Sequence, residues 1–420
     1  MAGSKQQSYA DRIIERAREL RESDAFALRE HTGFAIPTDT VKEQRRFTKR
    51  SIRQTIVLCV AIIVVIMGMS LCLPYNTGGS QYAGVVYSPA DVASCWALWF
   101  QTTIMPLFDS TIANRSTAMI AQFMIDTNVA YWLVIERGAV TLLLLALGFM
   151  LAVSGMLFQT TFRNPLATPT MLGVSDGVTV GYIIFACLGY TAASDNMPLY
   201  LLLAYGFGAL AVVVVLGLSR AVGGKRFNVF DMLLLGTVIC QLLGGVINYI
   251  TNFGMDTTTW EHFYDIQQSG DAMSDPLTWA IVVVLFIVCA VPLFVYRFKL
   301  NLLAFSEEET RLMGSRPTVL RAFALVLGSI MQLAAIASIG QVAMLSLAVP
   351  FVVRYLMPSE ARYQLLGNFL LGSIALLACY AVMHFAVIGL VPIPLGTIVS
   401  VLIVPFFIWA VALQSNKWGD

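Results

Sequence analysis

Apolar residues in this chain come in long blocks separated by short polar stretches. The blocks lie near residues 55–73, 139–161, 170–190, 198–219, 230–252, 277–296, 318–337, 342–356, 365–388 and 396–413. Most approach the ~20 residues that one helix needs to cross a hydrocarbon core. The eighth is short and reads as a broken helix. The pattern predicts an all-α membrane protein with ten transmembrane helices spread over residues 54–420. Residues 1–53 break it, being polar and charged and lacking the early apolar stretch of a signal peptide. They read as a soluble extension containing an amphipathic helix over 8–28. There Ala10, Ile13, Ile14, Ala17 and Leu20 recur near the helical period, and Ser8 and Asp11 are spaced as a capping pair.

Composition agrees with a bilayer as solvent. Of 420 residues, 58% are hydrophobic and 12% charged, against ~25% charged in ordinary soluble domains. That balance excludes a soluble globular enzyme, a disordered chain, a collagen, a disulfide scaffold and a nucleic-acid binder. The net charge of +1 is uninformative as a total, but its distribution is not. With the N-terminus inside and ten crossings, 24 of the 26 Lys and Arg fall on the inner side. Only Arg115 and Arg137 fall outside. The positive-inside rule therefore puts both termini in the cytoplasm. The basic run Arg45, Arg46, Lys49, Arg50 and Arg53 fits a topological anchor, with a helix lying on the membrane or on a partner subunit as the alternative. Outside, residues 74–136 carry Trp96, Trp99 and Phe100 for the membrane interface. Residues 253–276 carry Asp256, Glu261, Asp265, Asp271 and Asp275 without Lys or Arg, which reads as a solvated loop or as a docking face for a basic partner.

Signs of enzyme chemistry are sparse. The three His (His31, His262, His384) have no metal-ligand neighbours at helical spacing, so no metal site is expected. Gly223-Gly224-Lys225-Arg226 lacks the first Gly and the Ser/Thr of a P-loop, so this chain is not expected to hydrolyse ATP. The seven Cys include no Cys-x-x-Cys pair; Cys72 and Cys95 leave one outer disulfide open. Asp176 and Asp231 sit where helices three and five begin and read as helix-start carboxylates. The shortage of ionisable groups within the spans places the energy source elsewhere, since ion-coupled transporters need such groups. Gln241 and Asn248, seven apart on span five, share a face and are candidates for a pathway lining or for interhelical hydrogen bonds. Met344, with Met171 and Met331, is a candidate for a soft apolar wall or for core filling.

One stretch is specific: Phe162-Arg163-Asn164-Pro165-Leu166-Ala167-Thr168-Pro169-Thr170-Met171-Leu172-Gly173-Val174-Ser175-Asp176-Gly177. Its two Pro predict a rigid non-helical inner loop, and Gly173, Gly177 and Gly181 predict a small-residue ridge for close helix packing. The stretch resembles the signature of the FecCD family, permease subunits of importers for iron-siderophores, haem and cobalamin. The resemblance continues in Ser154-Gly155-Met156-Leu157-Phe158-Gln159, in Phe305-Ser306-Glu307-Glu308-Glu309-Thr310-Arg311-Leu312-Met313-Gly314, and in Val349-Pro350-Phe351-Val352-Val353-Arg354. Ile393-Pro394-Leu395-Gly396 and Pro405-Phe406-Phe407 extend it, so that it runs over residues 55–413.

The resemblance implies a cobalamin-importer-like permease fold in a multi-pass protein of the bacterial cytoplasmic membrane. It implies a second permease subunit, two cytoplasmic ATP-binding subunits and an extracytoplasmic binding protein as partners. ATP and Mg would sit on the ATP-binding subunits, and this chain would hold no cofactor. Glu307, Glu308, Glu309, Arg311 and Gly314 would form the coupling segment, and Arg137 would dock the binding protein. Arg163, Asn164, Pro165, Leu166 and Ala167 would form the family's motif loop. The chain departs from the pattern at four places. Val134 or its neighbours replace a first docking Arg, and Tyr380 and His384 stand where Asp and Arg are usual. Pro350-Phe351 replaces Pro-His, and the stretch Gly340-Gln341-Val342-Ala343-Met344-Leu345-Ser346 replaces a glycine-rich segment. These departures raise the hypothesis of a non-identical permease partner. An ion-coupled secondary transporter and a non-transporting membrane scaffold are the rival readings.

Overall fold

The computed structural model describes residues 56–57, 59–64, 68, 88–104, 116–127, 131–223, 229–268, 271–305, 307–385 and 395–415. The extension 1–53, with the helix expected at 8–28, lies outside the described residues, as does Cys72. All regular structure among the described residues is helical. Two helices, α1 (Pro89–Trp99) and α2 (Ser116–Thr127), precede the long α3 (Tyr131–Phe162). Next come α4 (Val174–Cys187), α5 (Met197–Gly223), α6 (Val229–Tyr249), α7 (Thr257–Gln268) and α8 (Pro276–Val295). The short α9 (Glu307–Leu312) leads to α10 (Pro317–Ile339), α11 (Ala343–Leu356), α12 (Ala361–Phe385) and α13 (Leu395–Ser415).

Nine of the ten apolar blocks coincide with helices α3, α4, α5, α6, α8, α10, α11, α12 and α13. Among the described residues, six helices are long and apolar enough to cross a bilayer, and Val174–Cys187, Met344–Arg354 and Leu395–Pro405 are shorter apolar helices. Of the first block, the described residues are helical, and Cys59 and Ile63 are buried in the main core.

Two outer stretches read as loops contain helices. Pro89 opens α1, and Ser88 and Asp91 cap it reciprocally: the Ser88 hydroxyl accepts from the Asp91 N–H and the Asp91 carboxylate from the Ser88 N–H, both at 3.1 Å. The helix α7 buries Phe263 and Ile266 one turn apart. Neither helix is apolar along its whole length, so neither stood out as a block. The α3 helix also starts at Tyr131, eight residues before the expected 139. Tyr131 and Val134 pack against Val92, Cys95 and Leu98 of α1, which extends the helix past the charged pair Glu136 and Arg137. Cys95 is a buried free thiol.

The core is built around α3. At 1.5 Å per residue its 32 residues reach about 48 Å, and 83% of its most apolar window is buried. It packs against α10, α11 and α12, and glycines set how closely. A Cβ on Gly148 would stand 2.6 Å from the Gly372 carbonyl oxygen, and one on Gly155 would overlap the Ser346 carbonyl. The α4–α5 pair uses the predicted ridge. A Cβ on Gly177 would stand 2.5 Å from the Phe207 carbonyl oxygen, and one on Gly181 2.6 Å from that of Leu203. Gly173 has a different job: at φ 75° it turns the chain into α4, a backbone that favours glycine. Between lipid-facing helices such backbone contacts replace the hydrophobic drive that water supplies to soluble proteins.

Substituting Gly155→Leu should force α11 off α3 and lower the melting temperature in detergent. The cost is on the order of 1–3 kcal/mol for overpacking. Gly217→Ala, where a Cβ meets nothing within 4 Å, should leave the melting temperature unchanged.

Candidate functional site

One end of the bundle gathers the motif loop, the segment that follows α8, and the connection between α11 and α12. Asn164 shapes the first: its side-chain oxygen accepts from the Leu166 N–H at 2.9 Å, and its N–H donates to the Gln159 carbonyl at 3.1 Å. Such turns are what short amide side chains stabilise. Ala167 is buried, Leu166 exposed and Pro165 half-buried. Arg163 adopts φ 50°, a left-handed backbone rare for a long side chain.

The second segment folds into short turns ending in α9. Thr310 is buried, and its hydroxyl donates to the Leu302 carbonyl at 3.1 Å. Gly314, at φ 74°, closes α9 in the left-handed conformation common at helix C-termini. Glu307 joins α9 to the bundle. Its Oε1 accepts from Nη1 of Arg321 on α10, and its Oε2 lies 3.9 Å from Nη2 of Arg311. Arg321 is only 8% exposed, whereas Leu312 is 88% exposed. Glu308 and Arg311 lie on the accessible side with Leu312. Arg163 stands within electrostatic reach of this group. Burial is the first cause lowering the basicity of its guanidinium and the Arg321 charge the second, while Glu309 and Glu307 oppose them. Asn301 fastens the third segment by accepting from the Ala361 N–H at 2.7 Å.

A buried polar link that the sequence reading missed lies beneath the motif loop. Arg354 of α11 donates to the side-chain carbonyl of Gln159 on α3, and the Gln159 amide donates to the Leu347 carbonyl at 3.0 Å. The two residues are 195 positions apart, so no local spacing pointed to them as partners. Both do fall within the family-like motifs.

At the opposite end, Arg137 is 4% exposed. The α1 helix covers its turn, since a Cβ on neighbouring Gly138 would land on the Trp96 ring. Tyr380 is also buried, and the His384 side chain lies outside those described. The α7 helix instead presents Glu261 with the stacked pair Trp260 and Tyr264, their ring centroids 5.4 Å apart. Asp256 precedes it, its carboxyl held below the usual range chiefly by the Thr258 hydroxyl. Asp275 caps α8 by accepting from the Leu277 N–H at 2.7 Å. Of the other helix-start carboxylates, Asp176 lies in the first turn of α4, and the Asp231 side chain is outside those described.

The α6 helix differs from the rest. Only 6% of its most apolar window is buried. One side packs through Met232 and through Gly236, which meets the Met171 carbonyl. The other side leaves Thr237, Gln241, Gly245 and Asn248 exposed at helical spacing, and Asn252 continues the row in the π-helical turn Ile250–Gly254 that follows. Met344, at the start of α11, is exposed as well, while Met331 is core. The structure thus leaves Gln241, Asn248 and Met344 accessible and brings the motif loop and Glu307–Gly314 to one end.

Comparison with known proteins gives this arrangement a context. Residues 98–412 match the FecCD transport family, so the match starts after the first apolar block, later than the 55–413 resemblance suggests. A hemin transport system permease protein of Yersinia pestis is 31% identical over 291 residues, 68% of this chain and 84% of that one. An iron chelatin transport system permease protein of Helicobacter pylori is 28% identical over 278 residues, 64% of this chain and 78% of that one. A vitamin B12 import system permease protein of Klebsiella pneumoniae is 27% identical over 281 residues, covering 66% and 81%. Among solved structures, a metal-chelate type ABC transporter in an inward-facing conformation superposes with a TM-score of 0.63 at 18% identity. It covers 86% of this chain and 99% of the other, a likeness of fold. All the motifs that meet at the loop end fall inside the family match, and the chain belongs to the FecCD transport family as an integral membrane permease.

Proposed function

We propose that this chain is the membrane subunit of an ATP-driven importer that carries an iron-siderophore, haem or a corrinoid into a bacterial cell. The observation that carries the reading is the geometry of α9: a short charged helix anchored by Glu307 and Thr310, with Leu312 extended away from the bundle. A helix held on one side and bare on the other is built to receive a partner. The partner of this end is a pair of ATP-binding subunits, which hold ATP and Mg; this chain supplies the passage. Ten spans with both termini in the cytoplasm put this end inside, in keeping with 24 of 26 basic residues on that side. The opposite end receives an extracytoplasmic binding protein. The surface it meets carries exposed Asp256 and Glu261, while Arg137 is covered by α1.

The polar stripe on α6 supports a second permease subunit. Amides exposed on a membrane helix face protein or water in preference to lipid. Thr237, Gln241, Asn248 and Asn252 therefore line a water-accessible seam between two permeases. Names of relatives point to iron chelates, haem and B12 as the cargo class. The relatives share the fold and differ in cargo, so the class and not the compound is proposed.

Replacing Glu307, Glu308 and Arg311 together by Gln should uncouple the importer. Cargo moved per ATP should fall by about tenfold or more, the scale of an intersite coupling energy. Co-purification of the ATP-binding subunit and the melting temperature check that assembly and fold persist. Unchanged cargo-stimulated hydrolysis and uptake would remove α9 from the coupling path. On a cysteine-free background, Asn248→Cys should form an oxidant-induced dimer in membranes. The outward-facing position Val291→Cys on α8, also exposed, should not.

A further inference from the structure

The two ends of α10 hold different parts of the molecule. Near its start, Arg321 donates to Glu307 of α9. At its finish, the carbonyls of the last turn lack a full set of helical partners, and neighbouring helices supply them. Tyr182 of α4 donates to the Ile336 carbonyl at 3.0 Å, and Tyr200 of α5 to that of Ala337 at 3.2 Å. Between these ends α10 is unbroken. Its Pro317 stands in the first turn, whereas α8, α11 and α13 contain Pro292, Pro350 and Pro405 in their interiors, where a Pro bends a helix. Its 23 residues reach about 35 Å, and 78% of its most apolar window is buried.

Residues 340–342 then join α10 to α11, and three elements converge on them. Gly340, at φ 79°, lies so close to α7 that a Cβ would stand 2.7 Å from the Gln267 carbonyl oxygen. Gly396, at the start of α13, lies against Gln341, with its Cβ position 2.3 Å from the Gln341 carbonyl oxygen. The Gln341 side-chain amide donates to the Thr179 hydroxyl of α4 at 3.1 Å. That hydroxyl donates its own proton to the Ser175 carbonyl at 3.0 Å, so it meets the amide as an acceptor. Gln341 belongs to the stretch that replaces the glycine-rich segment of the family pattern, and that pattern does not account for the bond.

We propose that Gln341 is a positioning residue. Through Thr179 it locks the α10–α11 connection to α4, so that a displacement of α7 by the binding protein passes into α10 and along it to Arg321 and α9. The inference rests on the importer reading and gives that importer an outer anchor for the signal between its two kinds of partner. Coupling of this sort is carried by hydrogen bonds and rigid elements in contact. Without the bond, the connection yields locally and absorbs the displacement. With it, α10 moves as a rod together with α4 and α5, and Glu307 follows its inner end.

The test uses proteoliposomes holding the whole importer. Its binding protein is loaded with haemin, a ferric trihydroxamate siderophore or cobalamin, whichever the unaltered importer takes up. ATP hydrolysis is measured with and without the loaded binding protein, alongside the dissociation constant of that protein and the melting temperature. Gln341→Leu removes the amide and Thr179→Val its acceptor, while Thr179→Ser keeps the hydroxyl. Gln341→Leu and Thr179→Val should each lower the stimulation of hydrolysis about threefold or more, the scale of one interhelical hydrogen bond. Basal hydrolysis and the dissociation constant should stay unchanged. The double variant should be no worse than either single one, because both remove the same bond, and Thr179→Ser should keep the stimulation. Full stimulation in Gln341→Leu would overturn the proposal, as would losses that multiply in the double variant. A lowered melting temperature and basal hydrolysis with the stimulation ratio kept would also overturn it, leaving Gln341 a packing residue. If Thr179→Val does not assemble, Gln341→Leu and Thr179→Ser decide between them. An unaltered importer that takes up none of the three probes with ATP would count against the importer reading itself, which separates the two failures.

Discussion

A guanidinium buried near the end of a membrane helix must find a negative partner, and Arg321 finds it on a different element. Removing one partner of a fully buried ion pair costs about 3–5 kcal/mol. The penalty here is smaller because the Glu307 side chain is 44% exposed and water screens it. Even so, the pair ties a six-residue helix, which has no stability of its own, to α10, a helix packed against the central α3. From that tie follow the fixed position of α9, the exposure of Leu312, and the proximity of the motif loop. A helix docked by one charge and one buried hydroxyl can be shifted without unfolding what surrounds it.

The remainder divides into a closed half and an open half. Around α3, backbone meets backbone at Gly148, Gly155 and Gly372, and little slack remains. Stacked Tyr182 and Tyr200, each donating to a carbonyl of the α10 end region, at Ile336 and Ala337, bind α4 and α5 to the same core. The α6 helix has no comparable cover. Its exposed amides stand on a membrane helix, where polar side chains face protein or water in preference to lipid, and this is the face assigned to the proposed second permease subunit.

Much of the fold was legible because membrane helices write themselves as apolar blocks, and nine of those blocks are helices. What escaped was amphipathic or short. The α1, α2 and α7 helices mix polar and apolar residues within a turn, so no block marked them. The site was legible in kind and only partly in position. Motif spacing identified the loop around Asn164 and the Glu307–Gly314 segment. Arg137 was read as an outer docking group and is buried, because nothing local announces that α1 lies over Gly138. Arg321 was counted as one more inner charge. Its partner is 14 residues away across a turn, and the Gln159–Arg354 link spans 195; three-dimensional pairings at such separations leave no periodic trace.

The central claim is that this chain provides a passage whose energy comes from ATP-binding partners. It is tested most directly by uptake into proteoliposomes containing the chain, its ATP-binding subunit and its binding protein. ATP is supplied on the basic side and the chelate on the acidic side, and a proton or sodium gradient without ATP serves as the comparison. The account predicts uptake of a haem, ferric siderophore or corrinoid probe only with ATP and only when both partners are present. Uptake driven by an ion gradient with the ATP-binding subunit left out would contradict it.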